Sequence, residues 1–127
     1  MEHLTIEYLT DFVKENEIEL YPSHSKLCFP IIARIFRKMK HGIRFSGIKI
    51  DGDIIIDGHY RYLAALLADV ALERYPYSKT SATNVGEWNT VLFDTNDWDT
   101  EAKISMLNAL DAEYNSISIK TINALLK

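Results

Sequence analysis

Residues 48–65 read Ile-Lys-Ile-Asp-Gly-Asp-Ile-Ile-Ile-Asp-Gly-His-Tyr-Arg-Tyr-Leu-Ala-Ala, and their order decides the fold. Asp51-Gly52 stands between two β-branched runs, a hairpin signal because the central positions of a tight turn call for positive φ. Ile54-Ile55-Ile56 is a continuous apolar run, the pattern of a strand covered on both faces. Asp57-Gly58 breaks that strand. From His59 the residues Leu63, Leu66, Leu67 and Val70 form a helical core stripe, which predicts a helix to about Arg74, closed by Pro76. The unit is therefore hairpin, buried strand, glycine turn, helix.

Upstream, Ile6, Leu9, Phe12 and Val13 recur at helical spacing and predict a short amphipathic helix over residues 5–15. Ile18 to Tyr21 reads as a short strand stopped by Pro22, and Ser23 to Ser25 as loop. A second helix then runs to about His41, with Pro30 near its first turn, where a missing N–H costs little, and Gly42 just past its end. Downstream, residues 77–87 are polar and loop-like, Trp88 to Phe93 reads as a strand, and Asp94 to Asp99 as a turn-rich connection. Helices follow over about Asp99–Glu113 and Ser116–Leu126. These elements predict one α+β domain spanning 1–127, a small mixed sheet with a β-hairpin packed by four to five helices. The strands are too few and too scattered for a doubly wound sheet.

Composition narrows the class. The 127 residues are 47% apolar and 25% charged, ordinary for one globular domain and too apolar for intrinsic disorder. A single cysteine, Cys28, excludes a disulfide scaffold. No apolar run approaches the roughly 18–20 residues that span a bilayer, and Met1-Glu2-His3 lacks the basic-then-apolar layout of a secretory leader. A cytoplasmic setting without membrane association is expected. With 14 Lys+Arg against 18 Asp+Glu the net charge is −4, which disfavours DNA as a partner because such affinity comes mainly from neutralised phosphates. The cations are unevenly placed: Arg34, Arg37, Lys38, Lys40, His41 and Arg44 fall within eleven residues. On a helix Arg34, Lys38 and His41 share a face, opposite Ile32, Ile35, Phe36 and Met39. Arg34, Arg37, Lys38 and His41 read either as a solvated polar face or as a patch facing phosphate or an acidic partner.

The strand–glycine–helix passage carries the chemistry. The first N–H groups of a helix have no intrahelical partner and the dipole there is positive. Gly58 allows close approach of a ligand to the backbone. Arg61, in the first helical turn, can fork onto a phosphate that the amides already hold. Gly58, His59, Tyr60 and Arg61 are therefore candidate phosphate-binding residues, with His59 a candidate catalytic proton donor. The plain alternative stands beside this: Gly58 a turn glycine, Asp57 an N-cap bonding the amide of Tyr60, Arg61 paired with Asp57 or Glu101, and His59 a partly exposed turn residue.

The wider string Gly42-Ile43-Arg44-Phe45-Ser46-Gly47-Ile48-Lys49-Ile50, then the hairpin, then Asp57-Gly58-His59-Tyr60-Arg61-Tyr62-Leu63-Ala64-Ala65, resembles the ParB/sulfiredoxin superfamily. Its members show a Gly-x-x-Arg-x-x-Ala helix start: Gly-Glu-Arg-Arg in partitioning proteins, Gly-Cys-His-Arg in sulfiredoxins, Asp-Gly-His-His-Arg-Tyr in others. Val91-Leu92-Phe93 and Asp97-Trp98-Asp99-Thr100-Glu101-Ala102 resemble the family's later strand-to-helix passage, so the likeness covers about residues 17–115. It implies that Gly58 and Arg61 hold the phosphates of ATP, ADP or CTP with Mg2+. The reactions it brings into range include clamp closure on DNA, sulfinic acid reduction, serine phosphorylation and nuclease activity.

The departures are specific. The sulfiredoxin nucleophile position is His59, and Cys28 reads as a small buried residue, so sulfinic acid reduction is not expected. The helix-turn-helix and dimerisation domains of partitioning proteins would follow this one, and nothing follows residue 127, so chromosome segregation is not expected either. The family's metal-binding Glu-Asn pair has only Asn108, Asp111 and Glu113 as nearest counterparts, in a different spacing. No zinc spacing exists among His3, His24, His41, His59 and Cys28, and neither zinc nor haem is expected. The expectation is a nucleotide-phosphate-binding protein, as a phosphotransferase, nucleotidase or nuclease. The alternative is a catalytically inactive binding protein of the same fold, an immunity protein or antitoxin working by protein contact.

Overall fold

A computed structural model describes residues 3–127. Helix α1 (Ile6–Glu15) opens at Thr5, whose Oγ1 accepts the amide of Tyr8 at 3.1 Å. Strand β1 (Lys26–Cys28) leads directly into α2 (Phe29–Lys40), with Pro30 in the first turn. The hairpin strands are β2 (Ile48–Asp51) and β3 (Ile54–Asp57), followed by α3 (His59–Ala68) and β4 (Arg74–Pro76). A 3-10 turn (Trp88–Thr90) precedes β5 (Leu92–Asp94), α4 (Glu101–Tyr114) and α5 (Ile119–Leu125). Thr100 and Ser118 cap α4 and α5 by accepting the amides of Lys103 and Lys120.

The strands form two small sheets. One has the order β3-β2-β4, with β2 antiparallel to β3 and parallel to β4. The other is the parallel pair β1-β5. The hairpin expectation holds with one adjustment: Asp51 pairs with Ile54, so the turn residues are Gly52 and Asp53, and only Gly52 has positive φ, +61°. Glycine at the first central position is what a type II′ turn requires. The main core joins Leu9 and Val13 of α1 to Leu20, Ile32, Ile48, Ile55, Leu63 and Trp88. Ala64 and Ala65 let α3 pack closely on Phe36 and Met39 of α2. A third, smaller cluster of Ile43, Ala112 and Ile122 anchors α4 and α5.

Four boundaries differ from the sequence reading. The helix expected to reach Arg74 ends at Ala68, because Asp69 adopts the left-handed conformation (φ 58°, ψ 48°) and Val70 N–H returns to the Ala65 carbonyl at 2.9 Å. Asp tolerates that region better than most residues. Arg74–Pro76 then runs as a strand beside β2, and Pro76 is accommodated because β4 is an edge. Of Ile18–Tyr21, Tyr21 alone joins the sheet, by a single bridge to Ile54. Lys26–Cys28, expected within loop and helix, is a strand. Trp88–Thr90, expected as strand, coils so that the buried indole Nε1 donates to the Leu20 carbonyl at 2.7 Å. No helix among the described residues is long and apolar enough to cross a membrane.

Candidate functional site

Helix α3 starts at Gly58, which has φ +105° and no side-chain cap. Asp57, expected to cap the helix, ends β3 instead, and its Oδ2 lies 3.5 Å from Arg61 Nη2. The glycine is required twice over. Its φ disfavours any side chain, and an added Cβ would lie 2.5 Å from Ile48 Cγ2 and 3.0 Å from Arg61 Nη2. Any side chain at this position would therefore meet Ile48 and Arg61.

Successive helical residues turn by 100°, so His59 and Arg61 leave α3 on nearly opposite sides. His59 is 3% exposed. Its Nε2 accepts the amide of Ser23 at 2.9 Å, while Ser23 Oγ donates to the Ile55 carbonyl at 2.6 Å. An accepting Nε2 places the ring proton on Nδ1 and makes the imidazole neutral. Burial, reinforced by His24 with ring centroids 4.3 Å away and only partly opposed by Asp57, lowers its pKa to about 4. The expected catalytic proton donor is therefore an inward-facing hydrogen-bond acceptor. Tyr60 Oη accepts the amide of Cys28 at 3.0 Å and Tyr62 Oη that of Leu20 at 3.2 Å. Burial raises the pKa of both phenols. These three rings fasten the segment from Leu20 to Cys28 onto α3. Cys28 is fully buried, as expected.

Arg61 belongs to the other side. Its Nη2 donates to the Gly47 carbonyl at 3.1 Å, and its Nε is buried without a partner among the described residues. It lines a cleft of about 480 Å³ between α2 and α4. Arg34, Lys38 and Arg44 line the same cleft, facing Asp99, Asp111, Glu113 and Asn108, with Ile35, Phe45, Leu107 and Tyr114 among the apolar walls. Two of these cations are already paired across it. Arg34 binds Asp97 at 2.5 Å and Asp99 at 3.2 Å, holding the Asp97 carboxyl below its ordinary range. Lys38, 4% exposed, binds Asp111 at 2.6 Å. Arg44 uses its backbone to bond Asn115, and its guanidinium has no ion pair among the described residues.

Of Gly58, His59, Tyr60 and Arg61, it is Arg61 that lines the cleft between α2 and α4. The basic patch also divides. Arg34 and Lys38 enter the cleft, Arg37 turns to the Leu125 and Lys127 carbonyls at 2.5 and 2.6 Å, and His41 stands exposed at the end of α2. Asn108, Asp111 and Glu113, first considered as metal ligands, do meet in the cleft. Lys38 occupies Asp111, and no group of three His, Cys, Asp or Glu among the described residues is placed to share a metal. Sequence spacing held no sign that α4 faces α2, since Lys38 and Asp111 are 73 residues apart. Comparison with protein-family models, curated proteins and solved structures gave no match to this chain.

Proposed function

We propose that the protein is a ParB/sulfiredoxin-like domain that binds the phosphate end of a nucleotide in the cleft between α2 and α4, with Arg61 as the central donor. The observation that carries this reading is the buried, unpartnered Nε of Arg61, which lines a cleft with three further cations. A guanidinium held at Nη2 by a carbonyl and a carboxylate is fixed in place beside the cleft, and its planar set of donors suits an oxyanion. The lining carries four cations against three carboxylates, a local excess of one on a chain of net charge −4. The cleft volume falls in the usual range for small-molecule sites, about 300–1,000 Å³. Any phosphotransferase, nucleotidase or nuclease chemistry would use Glu113 as the base, because Asp99 and Asp111 are held by cations. Titration calorimetry with ATP, ADP, CTP and pyrophosphate tests the reading. Binding is expected for at least one, weakened about tenfold or more by Arg61→Ala. Absence of heat with all four overturns it.

One observation favours the second reading, a binding protein without catalysis. Met106, Leu110 and Tyr114 form a half-exposed stripe along α4. Apolar and aromatic surface of this kind recurs in protein interfaces. A stoichiometric protein partner, released by Leu110→Glu and retained by Arg61→Ala, would establish that reading in place of the first.

A further inference from the structure

Two buried side-chain atoms lack hydrogen-bond partners among the described residues, Arg61 Nε and Asn108 Oδ1. They belong to different elements, α3 and α4, yet both side chains line the same cleft. Asn108 is 6% exposed, and its neighbours on that wall, Leu107 and Leu110, offer it no hydrogen bond. A buried polar atom left unpaired costs free energy, and native structures hold few of them. Here the two are opposite in kind: the guanidinium can only donate and the amide oxygen can only accept.

We infer that Asn108 is a specificity-determining residue, which selects for the cleft an organic anion bearing an N–H or O–H donor opposite its acidic group. The inference rests on the phosphate reading above and adds the far end of the ligand. An oxyanion on Arg61 satisfies one orphan and leaves the other. A hydroxyl or amino group on the same molecule satisfies Asn108. Ile35, Phe45 and Tyr114, which line the same cleft, suit a ring or sugar carbon face. A nucleotide has this layout, with phosphate at one end and ribose hydroxyls or an exocyclic amine at the other. A bare inorganic anion lacks the intervening body.

The test compares ADP with inorganic pyrophosphate, which share a diphosphate and differ in the nucleoside. Wild-type protein is expected to bind ADP at least about tenfold more tightly than pyrophosphate. Asn108→Leu keeps the side-chain size and removes the acceptor. It is expected to bring ADP down to the pyrophosphate level, with pyrophosphate affinity unchanged and the melting temperature equal or higher, since an unsatisfied polar group is gone. Asn108→Ala repeats the deletion should Leu overfill the site. Arg61→Ala is expected to weaken both ligands. If both bind and Asn108→Leu shifts neither, or shifts them equally, the role of Asn108 is overturned while the phosphate reading survives. If neither ligand binds the wild type, the phosphate reading falls and this inference with it.

Discussion

The two sides of the first turn of α3 share one stretch of sequence and do opposite things. On the side facing the N-terminal segment, His59, Tyr60 and Tyr62 each accept one backbone N–H, and their rings lie against Trp88, His24 and the core. That side is closed. On the other, Arg61 keeps a buried Nε unpaired and opens onto a cleft. Adjacent residues of this helix start therefore face different surroundings: the histidine and tyrosines hold the chain together, and the arginine faces the cleft. The contrast is physical and can be broken at the glycine that serves both sides.

Gly58→Ala carries the largest expected effect. Its φ of +105° strains any side chain, and the new Cβ would overlap Ile48 and crowd Arg61 Nη2. Backbone strain of about 1–3 kcal/mol and overpacking of similar size together give about 4 kcal/mol of destabilisation. Urea unfolding measures it. A loss under about 1 kcal/mol would show that the turn relaxes freely and fixes neither side.

The closed side has a pH signature. The folded state disfavours protonated His59, so the unfolded chain binds the extra proton between its ordinary pKa of 6.5 and the folded value of about 4. Stability from this group is present above pH 6.5 and is lost as pH falls through 4, by about 3 kcal/mol in full. In His59→Gln this part of the pH dependence disappears. Urea midpoints across pH 4–7.5 for both proteins check it, and parallel curves would mean that the ring is free to protonate in the fold.

On the open side, Lys38 and Asp111 should respond unequally. Asp111→Ala strands a buried ammonium, while Lys38→Met leaves a carboxylate that water partly reaches, with side-chain exposures of 4% and 21%. Asp111→Ala is expected to cost about 2 kcal/mol, below the 3–5 typical of fully buried pairs, and Lys38→Met clearly less. Equal losses would show that the pair is effectively solvated.

Local signals in the sequence were enough to place the hairpin, the start of α3, the span of α1 and the end of α2, because turn glycine, Pro30 and apolar spacing act over a few residues. The end of α3 was not readable. Leu66 to Arg74 is helix-favouring in composition, yet Asp69 turns the chain back and Arg74–Pro76 pairs with β2, a contact that local signals do not carry. The short β1 is likewise made by its partner β5, 66 residues away at the Lys26–Leu92 register. Within the site, Arg61 could be named from its place after the glycine turn. Its separation from His59 follows from helix geometry, but which side would be buried depended on Ser23 and Trp88. Asn108 and Asp111 were named in the sequence as the nearest counterparts of a metal-binding pair, and their meeting with Lys38 and Arg61 in one cleft needed α4 to lie across from α2.

Asp57→Asn is the mildest and most selective probe. Its carboxylate is 3.5 Å from Arg61 Nη2 and largely exposed, so the pair is worth little to stability, within about 0.5 kcal/mol. The same carboxylate competes with any anion for the guanidinium and also raises the His59 pKa against the pull of burial. Removing its charge should therefore act on both sides with opposite consequences. Anion affinity in the cleft is expected to rise about two- to fivefold, the equivalent of a weak exposed pair. The acid midpoint of His59 is expected to move lower still, because burial and His24 then act unopposed. Calorimetry with ADP and the pH series on the same variant read the two effects separately. If Asp57→Asn weakens the anion, the aspartate positions Arg61 rather than competing for it, and the guanidinium reaches the cleft only because Asp57 holds it there.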